Sequence, residues 1–251
     1  MAAMGWDRTP TERNALGQEV GAAVGDWRPP ARPDDRALEG RLCVVERLRA
    51  DRHAAALFAA NAIDREGRMW TYLPHGPFAD FADYRAWLEA AQDSPDPWFY
   101  AIVDKATGQP AGIASYLRIS PEAGSIEVGA LVFSPLLQRR PAATEAMALM
   151  MAQAFALGYR RYEWKCDALN QASRAAALRL GFRYEGTFRK ATIVKGRNRD
   201  TAWFAVTDDE WLTLQGILTE WLDPANFDEA GRQRKALSAL TGAWRAGDAA
   251  V

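Results

Sequence analysis

The sequence predicts an α+β fold in which a mixed, mostly antiparallel central sheet is flanked by helices. Strand-like runs at 98–104, 111–119 and 125–133 are joined by turns, which is typical of an antiparallel meander. Helical periodicity then alternates with single strands along the chain. With 251 residues, 49% of them hydrophobic, the protein is long and apolar enough for one sizeable core.

The first 38 residues are predicted to form an extended arm. The prolines of the run GDWRPPARP exclude a regular helix or a central strand in this segment. Trp6 and Trp27 are expected to attach the arm to the body, because two large rings in one short segment are seldom both left in water.

Residues 39–206 are predicted to form the main domain and to contain the central sheet. Apolar side chains recur at helical spacing between its strands, and turn residues such as Gly158 end its helices. In order, the sequence predicts a strand at 42–46, a helix from Asp51, a loop at 69–78, a helix at 83–91, the three-stranded meander, a helix ending at Gly158, a strand at 162–168, a helix at 171–180, and strands at 182–195 and 201–207.

Residues 207–251 are predicted to form a C-terminal helical extension. Its first helix, 210–222, carries two tryptophans and several leucines on one stripe. A second helix is expected after Asn226, running to about Leu240. Because the apolar stripe has to be buried, the extension is expected to pack on the core or on a partner subunit, in a monomer or a homodimer.

Charge and cysteine content exclude several classes of function. Thirty-one basic and 32 acidic residues give a net charge of -1, so neither DNA nor a membrane is predicted as a partner. Cys43 and Cys166 form neither a disulfide framework nor a metal-binding spacing, and with only two histidines no metal is predicted. The first 20 residues lack the pattern of a secretory signal, which predicts a cytoplasmic protein.

A helix start at 138–145 is the first candidate for chemistry. Small residues there allow backbone N–H groups and the positive end of the helix dipole to approach a phosphate, and Arg139 and Arg140 add charge. Taken alone, the segment is better explained as an ordinary capped helix with solvated arginines.

Two spaced motifs change that balance, because together they resemble the GNAT superfamily of acyl-CoA-dependent N-acyltransferases, particularly its RimJ/RimL-type branch of ribosomal protein N-acetyltransferases. Residues 138–143 resemble the Gln/Arg-x-x-Gly-x-Gly/Ala loop of that family, and Thr-Glu-Ala follows. Asn170, then Ser173, then Gly181-Phe182 resemble its second signature, Asn-x-x-Ser followed by Gly-Phe. The resemblance covers residues 39–206 and implies transfer of an acetyl group from acetyl-CoA to a primary amine by direct attack.

The resemblance also implies a binding site for acetyl-CoA as co-substrate. The loop would hold the pyrophosphate, the end of the preceding strand would pair with the pantetheine as an added strand, and the second motif would fix the thiol end. The implied binding residues are Leu131, Val132, Phe133, Gln138, Arg139, Arg140, Ala142, Ala143, Thr144, Asn170 and Ser173.

Two positions depart from the family pattern. Pro141 stands where the family has the middle glycine of its loop, so one N–H donor is missing, although proline is tolerated in a first helical turn. Ala177 stands where many members have a tyrosine that protonates the leaving thiolate. That leaves Ser173, a water molecule or no dedicated acid for this step.

Glu127 is the candidate general base. It alternates with Ile126 and Val128 and therefore projects from the opposite face of its strand, at a point where family members carry an acid. An amine of pKa about 10 has to lose a proton before it attacks a thioester. A structural carboxylate paired with an arginine on a neighbouring strand is an equally supported interpretation. The family's oxyanion donor, a main-chain N–H, would lie at 131–133.

The loop between the first two helices is the candidate acceptor site. In this family it covers the acceptor cleft, so Trp70, Tyr72 and His75 are predicted to contact the amine substrate, with cation–π attraction from the rings. His75 is a second candidate base because imidazole titrates near neutral pH. The alternative is that the aromatic rings only cover the sheet and that His75 is a surface residue.

Two further features are interpreted as structural. The basic run at 189–199 is expected to be a solvated hairpin, because no aromatic platform separates its charges and Asp200 adjoins it. Cys166 is expected to be a buried small residue and not a nucleophile.

Several functions stay open at this point. A protein or peptide N-terminus is the first choice of acceptor, and a small amine such as an antibiotic, a polyamine or an aminoacyl compound is the alternative. A GNAT-fold protein that binds acyl-CoA without catalysis is a rival, motivated by Pro141 and Ala177. An RNA- or ribosome-bound module using the basic hairpin is a third and less favoured possibility.

Overall fold

A computed structural model describes residues 10–248 and shows one eight-stranded sheet with helices on both faces. Trp6 lies outside the described residues. The order across the sheet is β3-β4-β5-β6-β7-β8-β10-β9, and only the β7–β8 pair is parallel. The strands are β3 Leu38–Glu39, β4 Cys43–Arg47, β5 Trp98–Asp104, β6 Gln109–Ser120, β7 Ser125–Phe133, β8 Arg161–Asp167, β9 Arg183–Val194 and β10 Arg197–Thr207.

Two hydrophobic clusters assign the helices to the two faces of this sheet. One cluster joins α1 and α2 to alternate residues such as Ala101 and Ile113. The other joins α3, α4, α5 and α6 to the intervening residues, such as Ile102 and Ala114. The predicted α+β class is therefore confirmed. The helices are α1 Ala50–Asn61, α2 Phe81–Gln92, α3 Pro141–Ala156, α4 Gln171–Arg179, α5 Asp208–Leu222 and α6 Leu237–Asp248.

The N-terminal arm contains a feature that the sequence did not predict, a small hairpin of β1 (Thr11–Arg13) and β2 (Glu19–Gly21). All six residues of these strands are exposed. Trp27 attaches the arm to the body, as expected: its indole Nε1 donates to the carbonyl of Gly158 at 3.4 Å.

Glu145, which is 5% exposed, joins helix α3 to the segment that leads into strand β4. Its carboxylate accepts the backbone N–H groups of Arg41, Leu42 and Cys43 at 2.9, 2.6 and 2.9 Å. A side chain at Gly40 would collide with this carboxylate, so the position requires glycine. This bond set fixes the start of α3 relative to β4.

The C-terminal extension packs on the same face as α3. Trp211, Leu214, Leu218 and Trp221 of α5 are buried in the main cluster, as their stripe predicts. The predicted second helix, from 227 to about Leu240, is misplaced. The chain after Asn226 is irregular, because Asn226 binds the backbone of Lys235 and a turn at Asp228–Arg232 intervenes, so helix α6 begins only at Leu237.

Candidate active site

Strands β7 and β8 separate halfway along their length. They pair in parallel only from Ser125–Arg161 to Val128–Trp164. Beyond this point β7 carries a bulge at Ala130, whose φ is 48°, and the buried hydroxyl of Ser115 supports the bulge by donating to the carbonyl of Gly129 at 3.0 Å. The separation leaves one edge of residues 129–133 without a strand partner.

Phe133 aims its backbone N–H into this opening. It lies opposite Gly112 of β6, and the next residue, Ser134, donates its N–H to the carbonyl of Ala111 at 3.1 Å. In an antiparallel ladder with that bonding pattern, Phe133 directs its own N–H and C=O away from β6, toward the opening. The carbonyl accepts the side-chain amide of Gln138 at 2.7 Å. The N–H has no acceptor on a neighbouring strand, because β8 does not pair with β7 at this point.

The loop between β7 and α3 is a compact turn. Leu137 and Gln138 donate their N–H groups to the carbonyl of Ser134 at 2.9 and 3.0 Å. Gln138 thus uses both its backbone N–H and its side chain to shape the loop. Arg139 adopts a left-handed conformation with φ 60°. Within residues 10–248, the N–H groups of Arg139 and Ala142 have no acceptor, and the side chains of Arg139 and Arg140 are exposed.

At the start of α3, Pro141 occupies the first helical position and Arg140 is the N-cap residue. Ala143 donates its N–H to the carbonyl of Arg140 at 3.1 Å. Thr144, one turn into the helix, is 3% exposed. The loop and this helix end therefore offer unpaired N–H groups and positive charge at one place.

The second motif lies where β8 passes into α4. Asn170 is the N-cap residue of α4, and its Oδ1 accepts the N–H of Ser173 at 3.0 Å. Its Nδ2 has no acceptor within residues 10–248, so it is available to a ligand. The hydroxyl of Ser173 accepts the indole N–H of Trp164 at 3.0 Å. Ala177 is fully buried.

Glu127 lies at the base of the opening, 2% exposed, and its two carboxylate oxygens differ. Oε2 is 2.7 Å from Arg118 Nη1 and 2.9 Å from Lys165 Nζ. Oε1 has no hydrogen-bond partner within residues 10–248. A Cβ added at Gly129 would lie 3.4 Å from Oε1, so this oxygen is directed along β7 toward the bulge.

A sequence profile for the acetyltransferase (GNAT) domain matches residues 41–183. The chain belongs to the GNAT superfamily. Its structure is similar to that of a GCN5-related N-acetyltransferase from Brucella melitensis, with 46% identity, a TM-score of 0.85, and coverage of 87% of this chain and 100% of that one. A GNAT-family acetyltransferase from Chromobacterium violaceum is 41% identical, with a TM-score of 0.72 and coverage of 76% and 96%.

These similarities establish the chain as a GNAT acetyltransferase, which confirms the predicted family and reaction class. A search of curated proteins by sequence gave no match. The part of the chain that the structure describes contains no cluster of three or more His, Cys, Asp or Glu side chains suited to a metal ion. None of its helices is both long and apolar enough to cross a membrane.

In the GNAT cleft, two buried carboxylates share one lysine, but their pKa values are shifted in opposite directions. Lys165 Nζ, 7% exposed in its side chain, is 2.9 Å from Glu127 and 2.7 Å from Glu163, and it lies 3.8 Å from the centroid of the Trp203 ring. Burial raises the pKa of Glu127 despite its two cations. Burial also acts on Glu163, but hydrogen bonds from Arg161 and Lys165 outweigh it and lower the pKa of that carboxyl.

The loop between α1 and α2 forms a roof over this cleft. Tyr72, half-buried, donates its hydroxyl to the carbonyl of Leu169 at 3.3 Å, so the roof reaches the turn that precedes α4. Lys195, at the tip of the β9–β10 hairpin, donates to the carbonyls of Trp70 and Gly76 at 2.9 and 2.6 Å. The roof is therefore held on both sides of the cleft.

Trp70, a candidate contact of the acceptor, has its ring buried. It is only 4% exposed and packs edge-on against Phe78 and Trp87 in the α1–α2 cluster, because the loop turns the ring inward. Only its backbone carbonyl faces the hairpin. For Trp70 the contacts favour the alternative in which the ring covers the sheet.

His75 stacks on Trp87, with 4.4 Å between the ring centroids, and its Nε2 is buried without a partner among the described residues. Burial and the nearby Lys195 lower the pKa of His75 to about 4. The imidazole is therefore neutral at physiological pH and a much weaker base than free histidine. A part in contacting the acceptor stays a prediction.

The basic hairpin is exposed at most of its positions, as expected of a solvated turn, but two of its features were not predicted. Lys195 bridges to the roof, and an aromatic pair lies at the hairpin base: the rings of Phe188 and Trp203 are 4.6 Å apart, and Phe188 is 57% exposed. Cys166 is buried and unpaired with a raised pKa, as expected of a structural residue. No sequence pattern points to Lys165 or Trp203, because their contacts depend on strand pairing between distant segments.

Proposed function

We propose that this chain transfers an acetyl group from acetyl-CoA to a primary amine in the opening between β7 and β8, with Glu127 as general base. The observation that carries the proposal is the unequal environment of its two oxygens. Arg118 and Lys165 fix Oε2, while Oε1 is unpaired and faces the bulge. A general base needs a free lone pair within reach of the proton that it takes, and here the contacts of Oε2 hold Oε1 in position.

The described residues fit the coenzyme. Acetyl-CoA supplies a thioester whose acyl carbon is open to attack by an amine. The N–H groups of Arg139 and Ala142, together with the side chains of Arg139 and Arg140, are proposed to hold its pyrophosphate. The unpaired edge at 131–133 is proposed to pair with the pantetheine, and Asn170 and Ser173 to hold its thiol end.

In the reaction, Glu127 Oε1 accepts the proton that the attacking amine gives up. The positive charges on Arg118 and Lys165 keep the other oxygen in place and favour the ionised carboxylate before the transfer, against the effect of burial. Phe133 donates its N–H to the oxygen that gains negative charge as the amine attacks. Ser173 is the candidate donor of a proton to the leaving thiolate. Its hydroxyl oxygen accepts the indole N–H of Trp164, and this contact does not use the hydroxyl proton.

The roof favours an acceptor that enters end-on. Because the α1–α2 loop is bonded to both the β9–β10 hairpin and the turn before α4, the cleft admits a chain terminus or a small amine more easily than a lysine on a folded surface. We propose that the acceptor is a protein or peptide N-terminus and that it binds beside the ring pair of Phe188 and Trp203, at the base of the β9–β10 hairpin.

Two more distant structures illustrate the alternatives. An acetyltransferase from Salmonella typhimurium modifies the N-terminal serine of ribosomal protein L7/L12, and it is 19% identical to this chain with a TM-score of 0.59. The Microcin C7 self-immunity acetyltransferase MccE, 20% identical with a TM-score of 0.59, was crystallised with acetyl-CoA and AMP. The small-amine alternative is supported by the same bonded roof.

The test is the release of free thiol from acetyl-CoA across a panel of acceptors. The panel contains peptides with different N-terminal residues, the same peptides blocked at the N-terminus but carrying a lysine, polyamines and aminoglycosides. The proposal expects turnover with free N-termini and none with the blocked peptides. Turnover with polyamines or aminoglycosides alone would select the small-amine alternative, and no binding of acetyl-CoA at millimolar concentration would refute the function.

We also propose that residues 39–206 form the catalytic unit, with the arm and the C-terminal extension as additions. The profile match at 41–183 lies inside these bounds.

A further inference from the structure

Arg179, the last residue of α4, carries a charge that no acidic side chain balances. It is half-buried, and burial lowers its pKa. No carboxylate forms an ion pair with it in the described part of the chain. Its guanidinium lies 5.0 Å from the centroid of the Trp221 ring, a contact that offsets only part of the cost of removing a charge from water.

The guanidinium points to the first turn of α3. Arg179 Nη1 donates to the hydroxyl oxygen of Thr144 at 3.0 Å. Thr144 is 3% exposed, and within residues 10–248 its hydroxyl proton has no acceptor. A buried hydroxyl that accepts from a cation and has a proton left to donate is suited to an anionic partner.

The adjoining loop needs such support. Pro141 removes one N–H from the helix start, and Leu137, Gln138 and Ala143 use theirs within the loop and helix. The unpaired N–H groups of Arg139 and Ala142 are left as backbone donors. A buried positive charge behind the first turn adds to the positive end of the helix dipole at this place.

The C-terminal extension holds Arg179 in position. Trp221 of α5 lies against the guanidinium. From α6, Thr241 donates its hydroxyl to the carbonyl of Arg179 at 3.2 Å, and Arg245 donates to the carbonyl of Leu178 at 2.6 Å. These bonds cap the last carbonyls of α4 and tie the extension to the loop through one side chain.

We propose that Arg179 is a positioning residue for the diphosphate of acetyl-CoA, acting through the hydroxyl of Thr144, and that α5 and α6 complete the coenzyme site from behind. This inference rests on the proposed function, since it takes acetyl-CoA as the co-substrate. It assigns to the C-terminal extension a part in coenzyme binding.

The test compares three compounds that differ in phosphate content. The affinities of CoA and 3′-dephospho-CoA, which both contain the diphosphate, are measured by calorimetry. S-acetylpantetheine contains no phosphate, and its turnover is measured as kcat/KM. Arg179→Met is expected to weaken CoA and 3′-dephospho-CoA equally, by about tenfold, which is the usual effect of one charge-assisted hydrogen bond. Turnover of S-acetylpantetheine should change by less than about twofold.

Two further variants keep the test decisive if Arg179→Met folds poorly. Thr144→Val is expected to weaken both nucleotides several-fold, and to add little when combined with Arg179→Met, because the two side chains act as one unit. Arg183→Met is the matched control: Arg183 lies 4.8 Å from the Trp244 ring and is paired with Glu210, so it should lower thermal stability and leave CoA affinity unchanged.

Three results would overturn the inference. Unchanged CoA affinity in Arg179→Met would show that the charge has no part in binding. A loss for CoA but not for 3′-dephospho-CoA would assign Arg179 to the 3′-phosphate instead. An equal loss with S-acetylpantetheine would indicate a merely structural role. Failure of the wild-type protein to bind CoA is a different outcome, and it would refute the proposed function itself.

Discussion

Replacing Glu127 by glutamine tests the general base directly. The change keeps the shape of the side chain and removes its negative charge. If Oε1 takes the proton of the amine, kcat should fall by about 10²–10⁴-fold, the usual contribution of a positioned base. At a given pH this corresponds to a rise of roughly 3–5 kcal/mol in the activation free energy.

Glu127→Gln should cost less in free energy of unfolding than in activation free energy. Glu127→Gln leaves Lys165 bound to Glu163 at 2.7 Å, and Arg118, whose side chain is 59% exposed, can return to water. Neither cation becomes a buried charge without a partner. We therefore expect a loss of about 1–3 kcal/mol, the range for one disrupted buried hydrogen bond, and a fall in Tm of roughly 2–12 °C for a chain of this size.

The assay is the pH dependence of kcat for thiol release at saturating acetyl-CoA. Because activity needs the ionised carboxylate and burial raises the pKa of Glu127, the acid limb of the wild-type profile should lie above the ordinary carboxyl value of 4.5. In Glu127→Gln this limb should disappear. Glu163→Gln is the control, since it removes the other partner of Lys165: it should lower Tm but reduce kcat only a few-fold.

The reasoning fails if Glu127→Gln retains wild-type kcat and the acid limb. It also fails if Glu127→Gln and Glu163→Gln reduce kcat equally, because the carboxylates would then act only by holding Lys165. Rescue of Glu127→Gln at high pH, where the amine is already deprotonated, would support the assignment.

Three other perturbations test separate parts of the structure. Glu145→Gln removes a charged acceptor of three backbone N–H groups and should cost about 3 kcal/mol, or roughly 6–12 °C in Tm by thermal unfolding; a shift under 2 °C would contradict this role. The pKa of His75 is lowered from 6.5 to about 4, so the unfolded chain binds a proton at this residue more readily than the folded chain. The stability that neutral His75 contributes above pH 6.5 is therefore lost as the pH falls through about 4. That loss is worth about 3 kcal/mol in total, and denaturant unfolding of His75→Leu between pH 7 and 4.5 should show a weaker decline than the wild type. Lys195→Met frees one side of the roof and should raise KM for the acceptor several-fold while the Kd of CoA stays unchanged; equal changes in both constants would be inconsistent with a roof over the acceptor.

Most of the fold could be predicted because its signals are local. Strand β7 was predicted at 125–133 and lies there, and α4 differs from its prediction by one residue. Alternation of Glu127 with apolar neighbours also gave the face of the strand on which it lies, because the side-chain period of a strand is fixed. The second C-terminal helix failed because side-chain bonds of Asn226 and Asp228 hold the preceding segment in turns.

The unpredicted parts of the site are contacts between distant segments. Lys195 binds the roof across 125 and 119 positions of the chain, and Arg179 binds Thr144 across 35. In the sequence each of these residues is an ordinary cation in an amphipathic or turn segment, with no pattern that distinguishes it from a solvated one. The burial of the Trp70 ring could not be predicted either, because a loop sequence does not show which way its rings turn.

The two cations beside Glu127 suit the role of general base that we propose for this buried carboxyl. Burial alone favours the protonated carboxyl, which cannot accept a proton, and full pairing of both oxygens would leave no free lone pair to take one. Here both cations bind Oε2. Their attraction opposes burial, and the pKa of the carboxyl stays raised. Oε1 keeps its lone pairs, at the point where β7 and β8 separate. The division of one carboxylate into a held oxygen and a free oxygen fits both interpretations of Glu127 that the sequence supports: Oε2 is the ion-pair partner, and Oε1 carries the proposed role of proton acceptor.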